Sequence, residues 1–91
     1  MAKVKRDSWR IHVEIDREDW EGIQVIIERA VGYSAGSGYD LYNGVRDLDW
    51  YRASERTAVH LAKRIKKVAG RRKGVTIQVE EKGGDEASYF V

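Results

Sequence analysis

The stretch Ser8–Asp16, "SWRIHVEID", decides the fold because its side chains alternate strictly between apolar and polar. One set of alternate positions is apolar: Trp9, Ile11, Val13 and Ile15. The positions between them are polar: Arg10, His12 and Glu14. Successive side chains of a strand point to opposite faces of its sheet. The pattern therefore predicts a strand with one buried and one polar face, in a sheet that helices cover on one side only.

A second strand with the same alternation lies near the other end of the chain, in "GVTIQVEE", residues 74–81. Two helices are predicted between these strands. The first covers residues 17–31, with Asp16 as N-cap and Gly32 as its stop, although the run "IQVII" leaves a strand alternative open. The second begins at its N-cap Ser54, ends at Gly70 and carries an apolar stripe at helical spacing: Ala58, Leu61, Ala62, Ile65, Val68 and Ala69.

The dipeptide Asn43-Gly44 separates two strand-like runs between the predicted helices. This is typical of a hairpin with a two-residue type I′ turn, because both turn residues need a positive φ. Such a turn would place Tyr42 opposite Val45. It would also set Asp40 against Asp47, a like-charge pair that costs stability.

The resulting order is strand, helix, strand, strand, helix, strand. It predicts an α+β fold, a ferredoxin-like βαββαβ sandwich with a four-stranded antiparallel sheet and both helices on one face. We expect one such domain over residues 8–82, a basic N-terminal arm at 1–7 and an acidic-apolar tail at 83–91. The tail ends in "SYFV", which is expected to pack on the sheet edge, with a partner groove or a second subunit as the alternative.

Composition narrows the class of protein. With 91 residues, 42% of them hydrophobic and 35% charged, the chain fits one small globular domain. It has no cysteine, which excludes disulfides, thiolate zinc sites and cysteine nucleophiles. No apolar run is long enough for a membrane span or a signal peptide. We therefore expect a cytoplasmic protein without a membrane partner.

The motif G-x-S-x-G occurs at Gly32–Gly36 and raises the question of a nucleophilic serine at Ser34. A nucleophile elbow needs a strand before the serine and a helix after it. Here a predicted helix precedes the serine and a predicted strand follows it. The motif is therefore interpreted as a helix stop and a loop.

A carboxylate cluster is the second candidate site. Asp47 and Asp49 are expected on the polar side of their strand, beside Glu14 and His12 of the first strand. Converging carboxylates can hold Mg²⁺ for phosphoryl chemistry, so a metal-dependent enzyme is the residual alternative. The plainer interpretation is a solvated acidic face, because exposed charges usually interact with water. We accordingly predict no catalytic residue, no metal and no cofactor, and expect that the protein is not an enzyme.

Charge is distributed unevenly although the formal net charge is only +2. Residues 7–55 contain eleven acids and five bases, whereas residues 56–79 contain eight bases and no acid. On a helical wheel, many of these bases lie opposite the apolar stripe of the second helix, and others follow in the next loop. The predicted phosphate-binding residues are Arg56, His60, Lys63, Arg64, Lys67, Arg71, Arg72 and Lys73.

A continuous basic helix face is typical of proteins that contact nucleic-acid phosphates. The sheet is not expected to bind RNA, since its outward positions next to Tyr51 are acidic and aromatic residues are needed there for base stacking. We thus predict a small nucleic-acid-binding protein. The alternative is a protein-interaction module or inhibitor, or a homodimer, that uses the open acidic sheet face or the C-terminal tail.

Overall fold

The structure is a computed structural model that describes residues 8–81 and 88–91. The predicted basic arm at 1–7 and the first part of the predicted tail, residues 83–87, lie outside the described residues. The described residues form two helices and five strands: β1 (Trp9–Ile15), α1 (Trp20–Val31), β2 (Gly36–Asp40), β3 (Val45–Arg52), α2 (Glu55–Val68), β4 (Val75–Glu81) and β5 (Ser88–Phe90).

The strands make one antiparallel sheet in the order β2-β3-β1-β4-β5. The α+β class is confirmed. The prediction of four strands is wrong, because Ser88–Phe90 of the predicted tail pairs with β4 and becomes a fifth strand. A three-residue strand has too little sequence to show a period, so its pairing depends on the neighbouring strand.

The core lies between one face of the sheet and the two helices. Strand β1 supplies its centre, since Ile11, Val13 and Ile15 are fully buried. Across the sheet, Val13 lies opposite Leu48 of β3 and Ile77 of β4. The helices complete the core with Ile23, Ile27, Ala58, Leu61, Ala62 and Ile65. The alternation predicted for the first and last strands is therefore confirmed.

Helix α1 is shorter than predicted. It starts at Trp20 instead of residue 17, with Asp19 as N-cap. The Asp16 N–H donates to the carbonyl oxygen of Gly74 at 2.8 Å. Asp16 is therefore held beside the loop before β4 and does not enter the helix. Arg17 donates to the Asp19 carboxylate at 2.7 Å. These long-range and local bonds hold residues 16–19 outside the helix. The strand alternative for "IQVII", residues 23–27, is wrong because all five residues lie within α1.

The hairpin register also differs from the prediction. Asp40 lies opposite Val45, and residues 41–44 form a four-residue connection. The Asp40 carboxylate accepts the Tyr42 N–H at 2.9 Å and the Asn43 N–H at 3.2 Å, while the Gly44 N–H, at φ +68°, donates to the Asp40 carbonyl at 2.8 Å. Asp47 consequently faces Gly38 and not Asp40, which removes the predicted like-charge pair.

Helix α2 begins and is capped as predicted. The Ser54 hydroxyl oxygen accepts the Thr57 N–H at 3.3 Å. At the other end the helix closes next to Gly70, where an added Cβ would lie 2.7 Å from the Lys66 Cα. Glycine is therefore required for the chain to leave α2 so close to its last turn.

Strand β5 confirms that the end of the chain packs on its own sheet edge. Val79 lies opposite Tyr89, and the Val91 N–H donates to the Ile77 carbonyl at 2.9 Å. The Tyr89 hydroxyl donates to the Glu55 carboxylate of α2 at 2.6 Å, and this bond raises the pKa of Tyr89 to about 12.

Within residues 8–81 and 88–91, neither helix is long and apolar enough to span a membrane.

Candidate nucleic-acid interface

The outer side of α2 and the loop after it form the most basic surface of the described chain. All eight predicted phosphate-binding residues are exposed to solvent. We call this set the basic surface: Arg56, His60, Lys63, Arg64, Lys67, Arg71, Arg72 and Lys73. From Arg56 to Lys67 it extends about 16 Å along the helix axis, at 1.5 Å per residue.

The apolar side of α2 gives this surface its orientation. Ala58, Leu61, Ala62 and Ile65 are buried against the sheet and α1. Since residues at positions i, i+3, i+4 and i+7 share one side of a helix, the basic positions between them are directed to solvent. Lys66 is also exposed but is absent from the predicted set. The dense group of bases in "KRIKK", residues 63–67, contained the signal for it.

Two members of the basic surface make hydrogen bonds to backbone. Arg64 donates to the Ala30 carbonyl near the end of α1 at 2.5 Å, and Arg72 donates to the Val68 carbonyl at 2.8 Å. These bonds hold the two guanidinium groups close to the fold. Each group still retains other N–H donors for a ligand, because a guanidinium carries five.

The other six members have no hydrogen bond or ion pair from their side chains to any residue in the described part of the chain. Their charges therefore interact mainly with solvent and with one another. The one acidic residue of α2, Glu55, accepts the hydroxyl of Tyr89. A surface with several unpaired cations attracts anionic ligands.

The loop between α2 and β4 is attached by hydrogen bonds to the two residues that follow the C-terminal end of β1. The Lys73 carbonyl accepts a hydrogen bond from Arg17 at 3.0 Å, and the Gly74 carbonyl accepts the Asp16 N–H. Gly74 has φ +90°, and a Cβ there would lie 2.5 Å from the Asp16 carbonyl oxygen. The bases of this loop are thus positioned by tertiary contacts as well as by α2.

The open face of the sheet shows a different arrangement of charge. Arg10 donates from Nε to Asp49 at 2.8 Å and from a terminal nitrogen to Glu80 at 2.6 Å. His12 lies between two carboxylates, with Nδ1 2.7 Å from Asp49 and Nε2 3.1 Å from Glu14. We call these five residues the sheet cluster. The hydrogen bond to Asp49 is the main cause that raises the pKa of Arg10.

The predicted neighbours on the sheet are indeed neighbours. His12 lies opposite Asp49, and Glu14 lies opposite Asp47. His12 bonds to Asp49, Glu14 and Arg10, and Arg10 bonds to Asp49, whereas Asp47 takes no part in these bonds. Within the described ranges no group of three or more His, Asp or Glu side chains is arranged to hold a metal ion. The metal-enzyme alternative gains no support from this geometry.

Ser34 lies between α1 and β2, so a helix precedes it and a strand follows it, as predicted. Its hydroxyl donates to the Glu28 carboxylate at 3.2 Å, and its N–H donates to the same oxygen at 3.1 Å. The acceptor is therefore an acid on the preceding helix. Gly32, which follows α1 at φ +93°, ends the helix as expected for the loop interpretation.

Comparison of the chain with protein-family models, with curated proteins and with solved structures finds no match.

Proposed function

We propose that this protein binds nucleic acid, and that the basic surface contacts the phosphates. One observation supports the proposal: six of the eight predicted residues have exposed side chains without an internal partner among the described residues, whereas the charged residues of the sheet cluster are bonded to one another. Cations that make no contribution to the fold are available to displace counterions from a phosphate backbone. We further propose a cytoplasmic location and no enzymatic activity.

The proposed binding mode has little sequence specificity. Phosphate contacts position a protein on a nucleic acid, whereas sequence is read at the base edges. The basic surface contains Arg, Lys and His, which suit phosphates. The exposed aromatic side chains Tyr33, Tyr42 and Phe90 lie outside α2 and the loop after it.

We also propose that the fold is ferredoxin-like with one added edge strand. The strand order β2-β3-β1-β4 and the packing of both helices into one core support this assignment. In that arrangement the second helix presents its outer side to solvent, away from the acidic sheet face. A nucleic acid could then approach α2 without meeting the carboxylates of β1 and β3.

The test is fluorescence anisotropy with labelled single- and double-stranded DNA and RNA at ~50 and ~200 mM salt. For four phosphate contacts, affinity should fall roughly 10²-fold over this range. The double variant Lys63→Glu/Lys67→Glu should bind at least about tenfold more weakly at the lower salt and show a shallower salt dependence.

A single-charge comparison provides the matched control. Lys67→Glu and Arg29→Glu change the net charge equally, and both positions are exposed, but Arg29 lies on α1 outside the basic surface. Lys67→Glu should weaken binding several-fold more than Arg29→Glu. Equal losses would mean that only net charge matters. No binding at low salt would reject the proposal and favour the alternative prediction of a protein-interaction module.

A further inference from the structure

Among residues 8–81 and 88–91, strand β2 forms one edge of the sheet and pairs on one side only, with β3. Alternate residues of such a strand direct their N–H and C=O groups away from the paired neighbour. Within the described residues, the backbone of Ser37–Tyr39 makes no bond beyond its pairing with β3. Proteins commonly protect an edge with charges or proline, and neither occurs in Ser37–Tyr39.

Two glycines leave acidic side chains uncovered along this edge. Gly36 and Gly38 occupy the open-face positions of β2, opposite Asp49 and Asp47. A Cβ added at Gly38 would lie only 2.8 Å from Asp47 Oδ1, and one at Gly36 would lie 3.9 Å from Asp49 Oδ2. The Asp47 carboxylate therefore occupies the space that a side chain at Gly38 would fill, and it lies close to the free edge of the sheet.

Asp47 differs from Asp49 in its bonding. Asp49 accepts hydrogen bonds from Arg10 and lies against His12, whereas Asp47 has no hydrogen bond or ion pair to another described residue. A strand added outside β2 would carry alternate side chains above the two glycines. A cationic side chain at those positions would reach Asp47 and the free oxygen of Asp49.

The opposite face of the same edge is aromatic. Tyr39 is 42% exposed and contacts Trp20, with ring centroids 5.5 Å apart. Three further apolar or aromatic side chains are nearly fully exposed at the two ends of β2: Tyr33 at 89%, Leu41 at 88% and Tyr42 at 99%. Exposed groups of this kind often mark interaction sites. The remaining alternate side chains of an added strand would thus meet the Tyr39 ring.

We propose that the outer edge of β2 binds an extended segment of a partner protein with Lys or Arg at alternate positions and apolar residues between them. Backbone hydrogen bonds to β2 would supply affinity, and the Asp47 and Tyr39 side chains would select the sequence. The site is separate from the basic surface, which would repel such a segment. The proposal does not depend on nucleic-acid binding.

The first test uses two fluorescein-labelled, capped nonapeptides in anisotropy titrations. One alternates Lys and Val, and the other is identical except that its central Val is replaced by Pro. Proline removes a backbone donor and fits poorly in a paired strand, so it should weaken binding at least about tenfold at unchanged charge. Equal binding of both peptides, or no binding at ~1 mM of the first, would overturn the proposal.

The second test changes the protein. Asp47→Asn should weaken binding of the Lys-Val peptide roughly three- to tenfold, whereas Glu21→Gln, an equal change of charge on α1, should leave it unaltered. Amide NMR shifts on peptide addition should concentrate on β2 and β3. Shifts on α2 or β5, or equal affinities for the two variants, would overturn the assignment. So would a dimer, seen by sedimentation, that occupies the edge and excludes the peptide.

Discussion

The basic surface and the sheet cluster use charged residues in opposite ways. On the sheet, Arg10, His12, Glu14, Asp49 and Glu80 bond to one another across three strands. The His12 and Asp49 side chains are only 12% and 17% exposed. On the basic surface, the side chains are exposed and, apart from Arg64 and Arg72, have no internal partner among the described residues. Charges of the first kind support the fold, and charges of the second kind remain available to a ligand.

The largest expected effect concerns the loop that joins the two regions. Gly74→Ala should lower the free energy of unfolding by about 2–3 kcal/mol, because φ is +90° and the new Cβ would meet the Asp16 carbonyl oxygen at 2.5 Å. Chemical denaturation measures the change. The control is Gly22→Ala in α1, where no neighbouring atom lies within 4 Å, and it should stabilise the helix by about 0.5–1 kcal/mol.

A loss of less than ~0.5 kcal/mol in Gly74→Ala would show that the loop can move away from β1 at little cost. The basic residues 71–73 would then be positioned by α2 alone. This outcome would weaken the view that tertiary contacts hold the loop part of the basic surface.

The next effect compares one cation from each region. Arg10→Met keeps most of the side-chain stem but removes the bonds to Asp49 and Glu80, and should cost ~1–2 kcal/mol of unfolding free energy in this partly buried site. Lys67→Met removes an unpartnered cation from α2 and should change stability by no more than ~0.5 kcal/mol.

The two variants should show the reverse order in the nucleic-acid anisotropy assay. Lys67→Met should lose affinity, and Arg10→Met should retain it as long as the protein stays folded. Equal costs in stability would break the distinction between structural and available charges.

The smallest expected effect concerns the hydrogen bond from Tyr89 to Glu55, the acidic residue of α2. The pKa of Tyr89 is raised to about 12 by its hydrogen bond to Glu55, so the neutral phenol is favoured in the folded protein. The stability that this bond contributes is fully present below pH ~10, the unfolded pKa of tyrosine, and is lost as the pH rises towards 12. An ultraviolet titration of the protein should therefore show a late phenol transition that belongs to Tyr89.

Glu55→Gln is the control for this titration, because it removes the negative charge while keeping a side-chain oxygen that can accept the bond. The late phenol transition should move to lower pH in this variant. A titration curve that Glu55→Gln leaves unchanged would contradict the contact between α2 and β5. The Glu55 carboxylate would then be available to offset the positive charge of the neighbouring Arg56.

Local periodicity predicted the elements that depend on one segment at a time. The alternation in Ser8–Asp16 predicted a one-sided strand, and the apolar stripe after Ser54 predicted α2 together with the outward direction of its bases. Such patterns reflect the 2.0- and 3.6-residue periods of the backbone itself, so they need no information about distant residues. The five members of the basic surface that lie on α2 could be identified for this reason, and the three in the following loop from the run of bases there.

Pairing between distant segments was decided by the tertiary structure. The turn dipeptide Asn43-Gly44 indicated a hairpin, but the bonds of the Asp40 carboxylate determined a register in which Asp47 faces Gly38. The bridge from Arg10 to Asp49 and Glu80 joins residues 39 and 70 positions apart. The exposed edge of β2 exists because, of the described strands, β3 alone pairs with it. The amino-acid sequence by itself determined which faces are apolar and where the bases lie, whereas the packing of strands determined which charges are paired and which edge stays open, since both depend on neighbours that the chain supplies only when folded.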